Sequence, residues 1–373
     1  MNMKNTGLQA FFSIVISITL LITTIAFSNK LVLLLNNVGV SVLSFSARAE
    51  SLAGDAIKSD SNENSSAYPQ ITGFSNGSFL AGGYPEVAVP QDIEKIMDEA
   101  AAVYKNFKKT GDIEETKLTA GSKSTVYGNV AVNNKTETKS VNIKNELSKK
   151  PSFGKITKDE PYILIYHTHT TEGYELLDKG WYSSDYDSRT KDTTKTVVRV
   201  GDEIAKRLEK SGFKVIHDKN IYDASYNGAY SRSLVAVEKY LKEYPSIVVT
   251  LDVHRDAIHY DSGTRCKPTA EINGKKAAQV MIITGAEEGS VEDFPNWSQN
   301  LTFAIALQNK VEENYKGLMR PIFFCQRKYN MHVTPCSLLL EMGTDVNTLD
   351  EAVYSGRLIG DSLAELLEEN IGE

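Results

Sequence analysis

From Tyr162 onward, short apolar runs alternate with segments of helical period, the rhythm of an α/β domain. The run YILIYHTH from Tyr162 is nearly continuous in β-forming residues, as a strand buried on both faces should be, and it ends in polar groups. Val197, Val200, Ile204 and Leu208 then fall on one face of a helix predicted over 196–211, with Gly212 as its stop and FKVI (213–216) as the next strand. The pattern continues with a helix over 231–242, the strand SIVVTLDVH (246–254), the strand QVMIITG, a long helix around 300–315 and the strand SLLLEMG. A last helix is predicted over 349–367. Thr348 and Glu351 have the spacing of a capping box, and Leu349, Ala352, Ile359, Leu363 and Leu366 form its apolar stripe. Residues 155–373 therefore suffice for one doubly wound, mostly parallel sheet domain.

The upstream pattern is different. Residues 7–28 carry no charge and are flanked by Lys4 and Lys30, which matches the roughly 20 residues of a spanning helix. The long polar remainder argues for an N-inside, C-outside arrangement. A second apolar stretch, 31–45, is interrupted by Asn36, Asn37 and Gly39 and reads as an interfacial continuation. It precedes Ala47-Arg48-Ala49, whose small-x-small form makes a removable export signal the alternative. Residues 50–90 are rich in Ser, Asn, Gly and Ala without an apolar period, as in a flexible linker. Helical spacing over 93–109 and loose alternation over 125–143 predict a small mixed α/β adaptor. The expected organisation is an anchor over 1–30, interfacial segment and linker over 31–90, adaptor over 91–154 and main domain over 155–373.

Composition narrows the classes. With 41% hydrophobic and 24% charged residues the chain is neither disordered throughout nor a multi-span membrane protein. A net charge of -7 is poorly suited to a phosphate backbone, so no nucleic-acid partner is expected. Cys266, Cys325 and Cys336 show no thiolate zinc spacing and leave room for one disulfide at most.

Ligands of open α/β sheets bind beyond the carboxyl ends of strands. Three polar clusters sit there: HTHTTE with His167, His169 and Glu172; LDVHRD with Asp252, His254, Arg255 and Asp256; and LLLEMG with Glu341. His169 and Glu172 lie one turn apart, and His254 from another strand would complete a His-Glu-His set with an open fourth position, the donor pattern of catalytic Zn2+. Glu341, directly after Leu338-Leu339-Leu340, is placed for partial burial and a raised pKa, which suits a general base. Each has a plainer rival: His169 satisfying backbone groups at a strand end, His254 in an ion pair with Asp252 or Asp256, Glu341 as a surface carboxylate. His167 is expected to support the ligand loop or to be a ligand itself, Asp252 to support His254, and Arg255 to be either a surface cation or an anchor for a peptide carboxylate. Asp252-x-His254 also suits a metallophosphoesterase, but a Gly-Asn-His cluster is missing.

Taken in order, PYILIYHTHTTEGY, VVTLDVHRDA and LLLEMGTDVNTLDEA resemble the stage II sporulation protein P family of endospore-forming bacteria. The likeness covers roughly 155–373 and the anchor. It implies a membrane-tethered peptidoglycan hydrolase of the zinc amidase and carboxypeptidase-like fold, with His169, Glu172 and His254 as Zn2+ ligands and Glu341 as the catalytic carboxylate. In the broader amidase group the glutamate ligand lies further along, where this chain reads KDTTKTVVRV without Glu. The resemblance further implies cleavage of the amide between N-acetylmuramic acid and L-alanine, with cross-link cleavage as a second activity, in forespore engulfment. It implies stage II sporulation proteins D and M as partners, beside peptidoglycan and the lipid bilayer, and an extracytoplasmic domain at the sporulation septum. A stem-peptide-specific zinc peptidase, with Arg255 as carboxylate clamp, and a non-catalytic wall-binding scaffold are the alternatives.

Overall fold

The computed structural model describes residues 87–372; the expected anchor and all but the last residues of the expected linker lie outside them. Among the described residues no helix is long and apolar enough to cross a membrane. The elements, in chain order, begin with α1 (Gln91–Tyr104), β1 (Gly111–Thr116), β2 (Thr125–Tyr127), β3 (Val130–Asn134) and α2 (Ile143–Leu147). They continue with β4 (Pro161–Tyr166), β5 (Trp181–Tyr182), α3 (Val197–Lys210), β6 (Lys214–His217), α4 (Ala229–Glu243), β7 (Val249–Asp256), β8 (Arg265–Ile272) and β9 (Lys275–Ala278). The last are β10 (Val280–Gly285), α5 (Trp297–Asn314), β11 (Ile322–Cys325), β12 (Cys336–Thr344) and α6 (Leu349–Glu369).

The fold is mixed α/β. Its main sheet has the order β2-β3-β11-β10-β12-β7-β4-β6. The strands β12, β7, β4 and β6 run parallel, and the sense reverses at β10, which pairs antiparallel with β12. Alternation along the strands sorts the two faces, since successive side chains point to opposite sides. Ile163, Ile165, Val249, Leu251, Leu338 and Leu340 join α3, α5 and α6 in the largest core. Leu164 and Tyr166 face Val237 of α4 on the other side, and Leu339 packs there with Ile283, Phe294 and Met331. The capping box predicted for α6 is formed, with the Thr348 side chain accepting from the Glu351 backbone N–H and Glu351 reaching back to Thr348. Helices α3 and α6 approach closely because Gly356 and Gly360 have no side chain: a Cβ at Gly356 would lie 2.9 Å from the Val200 carbonyl oxygen.

Two features depart from the sequence-based picture. Residues 91–154, expected as a separate adaptor, supply strands β2 and β3 to the edge of the main sheet, where β3 runs parallel to β11. Ile93 and Ala100 of α1 enter the same core as the main domain, and Arg199 Nε of α3 donates to Asp92 at 2.7 Å. Second, a four-stranded sheet of order β5-β1-β8-β9 stands beside the main one. The three cysteines are buried and free, so the single disulfide that the count allowed is not formed.

Candidate functional site

Because β4, β7 and β12 run parallel, their carboxyl ends reach one edge of the sheet together. His254 of β7 and Glu341 of β12 are direct register partners, which places the two side chains on the same face of adjacent strands. The ladder of β12 shifts register between Glu341 and Thr344, where Gly343 takes φ 76°, and bulges of this kind re-aim side chains beside sites. From β4 the chain runs through Thr168, whose backbone N–H and hydroxyl donate to the two Asp252 oxygens at 2.8 and 2.7 Å. This stitch ties the loop carrying His169 and Glu172 to the strand carrying His254. Asp252 thus accepts both hydrogen bonds that join the loop to the strand.

His169, Glu172, His254 and Glu341 are all brought to this edge. His169 and His254 stand edge to face, ring centroids 5.3 Å apart. Glu172 accepts from His254 Nδ1 at 3.2 Å, from the Arg255 backbone N–H at 3.3 Å and from Arg189 at 3.1 Å. His254 Nε2 lies 2.9 Å from Asp252 Oδ1 but without hydrogen-bond alignment, and it has no other partner. His169 Nδ1 and Glu341 Oε2 are likewise buried and unpartnered. Three orphaned polar atoms at one buried edge are costly unless a ligand engages them.

The electrostatics follow from burial and these contacts. Burial pushes the Glu172 carboxyl up, but the hydrogen bond and charge of His254, with His169 and Arg255, override it and leave the group well below the ordinary range. Burial alone would lower His254; the charges of Asp252 and Glu172 raise it well above the ordinary value, so His254 and Glu172 form a buried ion pair. Burial holds His169 on the low side. Glu341 is pushed up to about 8 by burial and by the nearby Asp256 carboxylate.

His169 offers a free, buried Nδ1 and His254 an Nδ1 that faces Glu172, and their donor chemistry fits zinc. Glu172 would fit through Oε2, with Oε1 keeping its contact with Arg189. Among the described residues no group of three His, Cys, Asp or Glu side chains already encloses a metal-sized space. A metal taking these donors would have to displace the proton that His254 Nδ1 shares with Glu172, as metal sites built on protonatable ligands require.

Both ring nitrogens of His167 are engaged, Nδ1 2.9 Å from the Val253 carbonyl oxygen and Nε2 2.8 Å from His217 Nε2. Arg255 is buried and spent internally: its guanidinium donates to the carbonyls of Gly173 and Asp256 and to the Ser188 hydroxyl. It fastens the 173–188 loop. Sequence reasoning missed Arg189, which bridges Glu172 and Asp223, and Asp223 itself, which accepts from Thr171. It also missed Tyr226, stacked on His169 at 4.6 Å, and Tyr230 beneath. All four come from loops or a helix start with no motif of their own, and only tertiary packing assembles them.

The fold and site together define an α/β protein with a His/Glu donor cluster at the carboxyl edge of its parallel strands. Residues 82–364 match the family model described as Stage II sporulation protein P, and the chain belongs to that family. It is 29% identical over 222 residues to Stage II sporulation protein P of Bacillus subtilis (strain 168), covering 56% of this chain and 52% of the relative. The chain thus spans about half the length of that curated relative. Among solved structures, it is similar to N-acetylmuramoyl-L-alanine amidase AmiC2 of Nostoc punctiforme, at 14% identity and TM-score 0.31, covering 58% of this chain and 97% of that one. A second is the CwlD amidase from Clostridioides difficile in complex with the GerS lipoprotein, at 13% identity and TM-score 0.34, covering 56% and 100%.

Proposed function

We propose that the protein is a zinc-dependent peptidoglycan hydrolase that cuts the amide between N-acetylmuramic acid and L-alanine during forespore engulfment, with peptide cross-links as secondary targets. The observation that carries this reading is the register pairing of His254 with Glu341, with His169 and Glu172 delivered to the same buried edge from β4. His169, Glu172 and His254 would hold the zinc ion, which when bound supplies Lewis acidity toward the scissile carbonyl. Glu341, buried and more basic than an ordinary carboxylate, takes a proton from the attacking water at its free Oε2 and returns it to the leaving amine. Arg189 and Asp223 orient Glu172, while Asp252 holds the loop and strand in position. The domain would act outside the cell membrane at the sporulation septum, anchored through the uncharged segment 7–28, with stage II sporulation proteins D and M as partners.

The stem-peptide peptidase reading depends on Arg255 as a carboxylate clamp, and the internal contacts of that guanidinium disfavour it. The test is to incubate the full chain in detergent micelles with zinc and purified peptidoglycan, identifying released products by mass spectrometry. Free stem peptides beginning at L-alanine, reduced about 100-fold or more in Glu341→Gln, are expected for loss of a general base. Cleavage confined to stem peptides would establish the peptidase instead. No zinc-dependent product would leave a wall-binding scaffold.

A further inference from the structure

Beside His169 stands an aromatic ring that the mechanism does not use. Tyr226 stacks on the His169 imidazole with ring centroids 4.6 Å apart and an interplanar angle of 7°. It is 49% exposed, so one part of the ring is packed on the site and the rest stays open to solvent. Tyr230 meets the same imidazole edge to face at 5.6 Å and stacks on Tyr329 at 5.2 Å. Tyr226 is thus the open end of an aromatic row that continues inward.

The loop that presents this ring is fastened from both sides. Arg232, in the first turn of α4, donates from Nε to the Tyr222 carbonyl at 2.6 Å and from Nη1 to the Asn227 carbonyl at 3.1 Å, and its Nη2 donates to the Ser225 carbonyl. One guanidinium therefore holds the backbone before and after Tyr226. The Tyr222 N–H donates to the Thr170 hydroxyl at 3.2 Å, and Asp223 accepts from the Thr171 hydroxyl at 2.6 Å, which ties the loop to the segment carrying His169. The Arg189 guanidinium stands 5.4 Å from the Tyr226 ring centre, its charge met by Glu172 and Asp223. A half-exposed ring on so fixed a loop has already lost the freedom that a binding residue must otherwise give up when its ligand arrives.

Charge sorts the two halves of the proposed substrate. Beyond His254 and Glu341 along β7 and β12 the edge is ionic: Arg320 donates to Asp256 at 2.9 Å, and Asp345 accepts from Arg265 and pairs with His259, each at 2.9 Å. A stem peptide is charged, whereas an N-acetylated glycan whose lactyl carboxyl is bound in the amide is not. Tyr226 offers an apolar, electron-rich ring face, and the C–H groups on one face of a pyranose are its complement. We propose that Tyr226 is a substrate-binding platform on which a pyranose ring of the glycan strand stacks, seating the sugar side of the scissile amide next to His169. The choice of a sugar rests on the reading of this edge as the amidase site, and it leaves the peptide to the ionic side.

The test uses the full chain in sugar-free detergent micelles and two probes, the uncharged tetramer of N-acetylglucosamine and an isolated stem pentapeptide, neither of which contains the scissile amide. Binding is read by saturation-transfer NMR. Tyr226→Ala should weaken the tetramer about 5-fold or more, while Tyr226→Phe and Tyr226→Trp stay within about two-fold of wild type. Pentapeptide binding should be the same in all of them. No tetramer binding by the wild type, undiminished binding by Tyr226→Ala, or an equal loss in Tyr226→Ala and Tyr226→Phe would overturn the platform. So would a loss of the pentapeptide in place of the tetramer. Arg232→Met keeps the ring but unfastens its loop and should also weaken the tetramer; unchanged affinity would refute the part assigned to that loop. On peptidoglycan, Tyr226→Ala should raise KM more than it lowers kcat, the reverse of a ring that only steadies His169. A wild type that binds the tetramer yet releases no stem peptides would refute the proposed function and not the platform, whereas release of stem peptides with tetramer binding undiminished in Tyr226→Ala would refute the platform alone.

Discussion

Glu175 is 3% exposed, and its Oε2 accepts from the Tyr104 hydroxyl at 3.1 Å. Burial pushes its carboxyl up to about 7 from 4.5, against the opposing charge of Lys179 and with help from Asp345. Each pH unit of displacement corresponds to about 1.4 kcal/mol, so ionising Glu175 costs the folded state about 3 kcal/mol. The sign is fixed by proton binding. Between pH 4.5 and 7 the folded chain holds a proton that the unfolded chain has released, so the contribution of Glu175 to stability falls across that window and is flat above it. Replacing it by Gln keeps an oxygen acceptor for Tyr104 and removes the ionisation. Glu175→Gln should thus be near neutral at pH 4 and about 3 kcal/mol more stable than wild type at pH 8. In Tm the gain at pH 8 is on the order of 6–10 °C for a domain of this size. Urea unfolding of both proteins at pH 4, 5, 6, 7 and 8 measures the difference directly. A gain independent of pH, or one that shrinks as pH rises, would refute the reasoning.

Three further outcomes follow from packing and charge. Lys267 is 1% exposed and contacts Glu115, Asp178 and Glu351, each at 3.0 Å. Lys267→Met should cost about 3–5 kcal/mol at pH 7 and less at pH 4, where protonation relieves the stranded carboxylates, as read by denaturant midpoints at the two pH values. A Cβ on Gly285 would meet the Arg327 carbonyl oxygen at 1.9 Å and Phe294 at 2.6 Å, so Gly285→Ala should lower stability by about 3 kcal/mol in the same assay. Gly201→Ala adds about 1 kcal/mol of helix propensity yet wedges apart the His167–His217 pair. It should therefore lower stability by about 1–2 kcal/mol in the same assay.

The chain's own pattern was sufficient for the strands β4, β7, β10 and β12, because each is built on a short run rich in apolar and β-branched residues. It was sufficient for α3, α5 and α6 because their stripes repeat at helical spacing. The Thr348 and Glu351 cap was legible for the same local reason. The polar groups at the ends of β4, β7 and β12 stood out against apolar runs, which is how His169, Glu172, His254 and Glu341 were found together.

The small sheet was not legible. Its β8, RCKPTAEI, mixes charge with small residues and pairs in parallel with β1 across a long loop, so no local period marks it. One local signal was there: Asn273 and Gly274, both at positive φ, form the two-residue turn of the β8–β9 hairpin. The merging of 125–134 into the main sheet was equally hidden, since β3 finds β11 far along the chain.

Sequence by itself determined which polar residues stand at the strand ends, because residue type and position along an apolar run are local properties. Tertiary structure decided their states and roles. Glu172 became an ion-pair partner of His254 held by Arg189, Arg255 turned inward to fasten a loop, and His167 turned to His217, since each outcome depends on which distant groups burial leaves within hydrogen-bond reach.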